Sequence, residues 1–248
     1  MSGDQWAQPQ GSIVPAPPLI PAGLAEAELE ILGLMPGSSN YTFLARLDGD
    51  ASSLVVYKPR RGETPLWDFP TGTLCHREVA AYEVCVAAGW THVPPTVLRD
   101  GPLGPGAVQK FIEHDPAFHA FNLAPGHEVE LKTIALFDVV VNNADRKAGH
   151  VLRDHDDRLW AIDHGLCFHT EPKLRTVLWD YIGEPVPDEG LQALQELCRV
   201  MGGELGGKLD SLLLPEELGC LAARAETVLK TGVFPSPGPG RPYPWPPI

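Results

Sequence analysis

Four residues of this chain have the types, order and spacing needed to handle a metal-bound triphosphate: Lys58, Glu78, Asp145 and Asp163. The two aspartates lie eighteen positions apart. Asp145 closes the run ALFDVVVNNAD, and Asp163 follows the apolar LWAI and precedes His164-Gly165. A short strand, a tight turn and a second strand between them fold the two acids back toward each other. One carboxylate of such a pair can orient or deprotonate an acceptor hydroxyl while the other binds a metal that bridges phosphates. Lys58 ends the strand-like LVVYK, and Glu78 follows twenty residues later on a helical segment. A strand lysine paired with a helix glutamate is the ion pair that fixes the α- and β-phosphates in phosphoryl transfer.

Weaker signals surround this set. The loop Met35-Pro36-Gly37-Ser38-Ser39-Asn40 joins two strands and can lay backbone N–H groups and the hydroxyls of Ser38 and Ser39, beside Asn40, over phosphates. By its order in the chain, Phe111-Ile112-Glu113 is the hinge whose backbone would read an adenine edge. Glu83 is the second choice for the partner of Lys58. The segment 59–73, with Arg60, Arg61, Trp67 and Phe69, is too long for a turn and reads as a flap or a surface loop.

The elements that must position these residues follow from hydrophobic period. Strands are expected over 24–34, 41–47, 54–58, 92–98 and 106–111, because apolar and polar residues alternate there. Helices are expected over 75–88, 128–142, 174–181, 189–201 and 215–230, the first ending at Gly89. The fold class is therefore α+β, a five-stranded antiparallel lobe followed by a mainly helical lobe. The expected division is an arm at 1–22, an N-lobe at 23–113, a C-lobe at 114–233 and a Pro-rich tail at 234–248. The arm has no period and reads as disordered. The tail PSPGPGRPYPWPPI cannot form a helix or a central strand. It is expected either to be free and open to a protein partner or to pack Tyr243 and Trp245 on the body.

Composition narrows the function classes. A formal charge of −13 and a pI near 5.0 argue against a nucleic-acid or anionic-membrane surface. No run of about 20 apolar residues or signal-peptide pattern appears, so a soluble cytoplasmic protein without a stable membrane anchor is expected. The five cysteines, Cys75, Cys85, Cys167, Cys198 and Cys220, have no C-x-x-C spacing and read as reduced thiols rather than zinc ligands.

The stretches Asn143-Ala144-Asp145-Arg146 and Ala161-Ile162-Asp163-His164-Gly165 resemble the phosphatidylinositol 3- and 4-kinase superfamily, nearest its type II 4-kinases. The resemblance covers 29–168 and is sharpest over 137–168. It implies a bilobal protein-kinase-like fold, ATP with Mg²⁺ or Mn²⁺, and a hydroxyl-bearing acceptor. Carried over by position, Asp145 orients or deprotonates the hydroxyl, Lys58 holds the α- and β-phosphates, and Asp163 binds metal. Arg146 supports the loop or touches the transferred group. The departure is His150, five positions after Asp145, where the family has a metal-binding Asn. An imidazole there tilts the site from Mg²⁺ toward Mn²⁺, or is no ligand at all. With no cysteine cluster and a repelling net charge, a soluble polyol, inositol-like or sugar-like acceptor, or a protein hydroxyl, is expected. The alternatives are a nucleotide-binding pseudokinase and an AMP transferase.

Overall fold

The computed structural model describes residues 20–37, 40–48, 53–123 and 125–248. The expected Ser38 and Ser39 contacts and the arm up to residue 19 lie outside the described residues. Five strands form one antiparallel sheet: β1 (Leu29–Leu34), β2 (Phe43–Leu47), β3 (Leu54–Pro59), β4 (Thr96–Gly101) and β5 (Gly104–Lys110). Their spatial order is β1-β2-β3-β5-β4. β3 runs in the middle and alternates strictly, with Val55 and Tyr57 buried on one face and Lys58 directed to the other. Lys58 pairs with Ala107, and Pro59 with Gly106. A Cβ on Gly106 would meet the Lys58 carbonyl at 2.5 Å, so glycine there lets β5 close on the strand that carries the lysine.

Helix α1 (Leu74–Ala87) crosses between β3 and β4 in the chain and is buried on nearly every side. Two of its otherwise unpaired first-turn N–H groups, Leu74 and Cys75, donate to the Glu63 carboxylate at 3.1 and 2.8 Å. The flap segment thus caps the helix that carries Glu78. After the sheet come α2 (Glu128–Val141), the hairpin β6 (Val151–Arg153) and β7 (Leu159–Ala161), then α3 (Asp188–Met201), α4 (Glu204–Leu209) and α5 (Pro215–Thr231). The main core joins α1 to these helices through residues such as Ala81, Cys85, Phe137, Val140, Leu194 and Leu221. α2 stops at Asn142, whose φ of 55° is left-handed, a conformation asparagine tolerates better than most residues. Its amide donates to the carbonyls of His169 and Glu171 at 2.8 and 2.7 Å, which fixes the exit direction of the chain.

The architecture is the expected α+β, with corrections in detail. Residues 24–28 form turns, so the first strand is shorter than expected, and the fourth begins at Thr96 rather than His92. The helix expected over 174–181 is absent; only Trp179–Tyr181 makes a 3₁₀ turn. Tertiary pairing overrides local preference there, because Arg175 N donates to Asn143 O and Val177 N to Arg146 O. α4 was not expected, its two glycines masking a short helix.

The Pro-rich tail is not free. Phe234 is buried, Pro242 O accepts from Thr176 N and from Trp179 Nε1, and Pro247 O accepts from Ala148 N at 2.8 Å. Tyr243 and Trp245 stay exposed, so docking runs through proline-flanked carbonyls rather than the two rings. Proline cannot donate but remains a full acceptor, and the tail supplies acceptors to N–H groups that the body leaves open. Deleting residues 235–248 strands three donors and is expected to cost about 3 kcal/mol at roughly 1 kcal/mol per bond. Urea denaturation of the truncated chain checks this, and an unchanged midpoint would show that the contacts carry no energy.

Candidate active site

Three side chains from three parts of the fold meet at one amine. Lys58 Nζ lies 2.5 Å from Glu78 Oε1 and 3.1 Å from Asp163 Oδ1. Lys58 comes from the central strand, Glu78 from α1, and Asp163 from the turn just after β7. Glu83, the second choice, instead pairs with Lys208 at 3.0 Å on the protein surface. Burial opposes the charged amine, but Asp163 and Glu78 together outweigh it and raise the Lys58 pKa above the ordinary lysine value. The Lys58 charge holds the Asp163 carboxyl well below the usual range. Glu78 is pushed up by burial and pulled back by Lys58, and its second oxygen accepts His164 N at 3.1 Å.

Asp163 has φ of 63°, a left-handed backbone that turns its half-exposed carboxylate toward β3 and the loop at once. Its Oδ2 is 3.2 Å from His150 Nε2. Burial pushes His150 down to about 4, so the ring is neutral near pH 7. Its Nδ1 lies 3.5 Å from Lys147 N–H, which places the proton on Nε2, donating to Asp163. Asp145 is partly buried with Lys147 Nζ 3.5 Å from its Oδ2. Burial raises its pKa to about 6, with Lys147 opposing and Asp163 adding to the rise. A carboxylate poised near 6 is ionised at neutral pH yet basic enough to share a proton with a hydroxyl.

The loop that carries Asp145 is held from beneath by Arg146 and Asp138, both fully buried. Arg146 Nε and Nη2 each lie 2.9 Å from the Asp138 carboxylate oxygens, a bidentate fork. Nη1 donates to Ile162 O and His150 O, and Nη2 meets His164 Nε2 at 2.8 Å. Asn143 Nδ2 also donates to Asp138, while Asn143 Oδ1 accepts the Asp145 N–H at 3.0 Å. Of the two roles expected for Arg146, the geometry therefore leaves loop support, because a guanidinium with no exposure cannot reach a transferred phosphoryl group. His164 is likewise buried and edge-on to Phe137, with its Nε2 against Arg146 and its Nδ1 without a hydrogen-bond partner among the described residues.

Other expected residues stand apart from this centre. Asn40 Oδ1 accepts Thr64 N–H at 2.7 Å, tying the strand loop to the flap. At the hinge, Phe111 N donates to Leu54 O, and Ile112 O lies 2.8 Å from His114 Nδ1, so two of its backbone groups are already engaged. Ile112 is packed on Leu152 and Trp160, and Glu113 is exposed. Asp138 was not among the residues that the sequence singled out. A lone acid in ALFDVVV was the signal available, since a charge in a buried run needs a partner. Lys147 and Glu63 were missed too.

The donor set suits a metal only in company. Among the described residues no group of three or more His, Cys, Asp or Glu side chains could hold an ion. Asp163 and His150 supply two donors, which fits a cation that completes its shell with phosphate oxygens and water.

This sheet-and-helix arrangement, with lysine, glutamate and aspartate meeting between the sheet and the helices, is a bilobal, protein-kinase-like fold. The Helicobacter pylori proinflammatory kinase CtkA superposes with a TM-score of 0.56 at 12% identity, over 85% of this chain and 94% of that one. The hydra Fam20 structure with sugar gives 0.53 at 14% identity, over 85% and 87%. The Golgi casein kinase with Mn/ADP bound gives 0.50 at 14% identity, over 84% and 73%. By sequence, the chain belongs to the family of Protein Rv2133c of Mycobacterium tuberculosis, to which it is 41% identical over 91% of its length and 94% of the relative's. It is also 27% identical to phosphatidylinositol 4-kinase gamma 4 of rice (Oryza sativa subsp. japonica) across 69% of this chain, spanning 40% of that protein's length. No protein-family model matches the chain.

Asp138→Asn removes the charge that neutralises Arg146 and is expected to cost about 3–5 kcal/mol of stability, the usual result of leaving one member of a buried pair. Guanidinium unfolding measures it, and a loss under about 1 kcal/mol would show that the fork is not holding the loop. Acid provides a second test. Burial lowers His92 to about 3 and His164 well below the ordinary value, beside His150 at about 4. Each folded pKa lies below the unfolded value, so the unfolded chain binds more protons below about 6.5 and stability falls with pH. Asp145 and Glu78, raised in the fold, work the other way over the same interval. The net expected change from about pH 6.5 to about 5.5 is a loss of stability, with the three histidines outweighing the two carboxyls. Denaturant midpoints across that range check the sign.

Proposed function

We propose that the protein is an ATP-dependent phosphotransferase that moves the γ-phosphoryl group to a hydroxyl, related to the phosphatidylinositol 3- and 4-kinases. The observation that carries this reading is the convergence of Lys58, Glu78 and Asp163 beside Asp145. In this reading residues 23–113 are the N-lobe, 114–233 the C-lobe, and 234–248 a strap across the C-lobe. Lys58, held straight by Glu78, exchanges its Asp163 contact for phosphate oxygens. Asp145 receives the acceptor proton, and Arg146 keeps the loop in place. A divalent cation held by Asp163, with His150 as second donor, would neutralise charge on the phosphates. His150 can serve only if its proton moves from Nε2 to Nδ1, at the expense of the long contact to Lys147 N–H.

The likeness of two plant phosphatidylinositol 4-kinases at 27 and 31% identity supports the superfamily. Among the described residues no helix is long and apolar enough to cross a membrane. A polyol, inositol-like or sugar-like alcohol, or a protein hydroxyl, is the acceptor class proposed, in a cytoplasmic setting. The carbonyls of Pro242 and Pro247 are engaged on the body, and Tyr243, Trp245 and Ile248 are exposed large side chains of the tail open to a protein partner.

The test is transfer of label from γ-labelled ATP to a fractionated extract, with Mg²⁺ and with Mn²⁺. Lys58→Met and Asp163→Asn are each expected to lower the rate by about 10²–10³-fold, the scale for losing one preorganised charge at a transition state. Asp145→Asn should lower kcat by about 10²–10⁴. The wild-type kcat/KM should fall as pH drops through about 6, because protonated Asp145 cannot accept the hydroxyl proton. His150→Asn should shift preference from Mn²⁺ toward Mg²⁺. Label transfer equal in wild type and Asp163→Asn would sink the proposal, and label from α-labelled ATP would replace it with AMP transfer.

A further inference from the structure

A cavity of about 510 Å³ lies between the C-terminal half of α2, α5, the segment 170–175 and the docked tail. None of Lys58, Glu78, Asp145, His150 or Asp163 lines it. Its walls include Val139, Leu174, Trp179, Val228 and Pro235, an apolar lining of metabolite size. In a chain of formal charge −13, every charged residue on its lining is cationic: Lys173, Arg175, Arg224 and Arg241. The close ion pairs of this set go to one member, Lys173, which lies 2.7 Å from Asp68 and 3.9 Å from Glu171. Arg241 lies 5.3 Å over the Trp245 ring, a contact that orients the guanidinium without neutralising it.

Arg224 is the second, independent sign. Its Nε donates to Val140 O at 2.7 Å and its Nη1 to His169 O at 3.3 Å, which anchors the side chain. Its Nη2 is buried and has no hydrogen-bond partner among the described residues. Desolvation pushes the group down to about 10, outweighing the upward pull of Cys220, Cys167 and Glu217, the last of which is itself paired with Arg77. An enclosed guanidinium N–H left unpaired is costly and rare, and because Arg224 itself lines the cavity, a rotation of the guanidinium toward an anion held there would satisfy it.

We propose that this cavity binds a small phosphate monoester on an apolar body, its phosphate taken by Arg224 and Arg241 with Arg175 alongside, and its apolar part lying against Leu174, Trp179 and Pro235. Guanidinium groups suit phosphate because their planar N–H pairs match two oxygens at once. The proposal is independent of phosphoryl transfer at the cleft. The site also adjoins the catalytic loop: Asn142 lines it and immediately precedes Asn143, and Arg175 O accepts Arg146 N at 2.9 Å.

The experiment titrates the full chain with hexyl phosphate below its micelle concentration, followed by thermal shift and calorimetry, with hexanol, inorganic phosphate and vesicles containing phosphatidic acid in parallel. Hexyl phosphate is expected to bind saturably, at least tenfold tighter than inorganic phosphate and without competition from ADP. Arg241→Ala, in the tail, and Arg224→Met should each weaken it tenfold or more. If Arg224→Met fails to fold for want of its Val140 contact, Arg175→Gln takes its place. Equal binding of hexanol, unchanged binding in the variants, displacement by ADP, or capture by vesicles with no response to hexyl phosphate would each overturn the proposal.

Discussion

One buried guanidinium determines where the candidate site can be. Arg146 has no exposure, and its N–H groups reach the Asp138 carboxylate, the carbonyls of His150 and Ile162, and His164 Nε2. Those partners belong to α2, the loop, the end of the β6–β7 hairpin and the turn that bears Asp163. A charge taken out of water is tolerated only when its partners are complete, so the loop, the hairpin and the helix are fixed to one another as a unit. Asp145 and Asp163 take their positions from that unit. The residue with the least access to solvent thus governs the residues with the most chemistry.

Against this rigid base the sheet contributes a single charged group. Lys58 reaches across from the central strand, and its amine is the point where sheet, α1 and the Asp163 turn touch electrostatically. Glu78 is almost fully buried, whereas Asp163 is half exposed, so the two acids are not equivalent partners. The buried one orients the amine permanently. The exposed one can yield its contact to another anion, and a lysine held by a fixed carboxylate and an exchangeable one can take a new partner without losing its place.

The tail alters the picture of the helical half. A proline-rich segment cannot enter a sheet or helix, but its prolines still accept, and here the carbonyls of Pro242 and Pro247 serve Thr176, Trp179 and Ala148. Ala148 opens the turn that ends at His150. The tail also walls the cationic cavity, so the same fifteen residues touch both the loop that follows Asp145 and the second candidate pocket. These two regions are therefore mechanically adjacent, although they are built from different side chains.

Sequence alone determined the order and kind of the main elements, because alternation at β2 and β3 and the long apolar periods of α1, α2 and α5 are local properties of the chain. It also determined the pairing of Lys58 with Glu78 and the approach of Asp163, since strand, helix and hairpin leave few ways to place them. What only the tertiary structure decided were the partners of buried charge: Asp138 under Arg146, Glu63 on the first turn of α1, and Arg77 with Glu217 at 2.5 Å across 140 positions. A charged residue in a run of apolar ones announces a partner without naming it, because the partner is chosen by packing between distant segments. The same reason explains the lost helix at 174–181, where backbone groups that could have bonded within the segment found Asn143 and Arg146 instead.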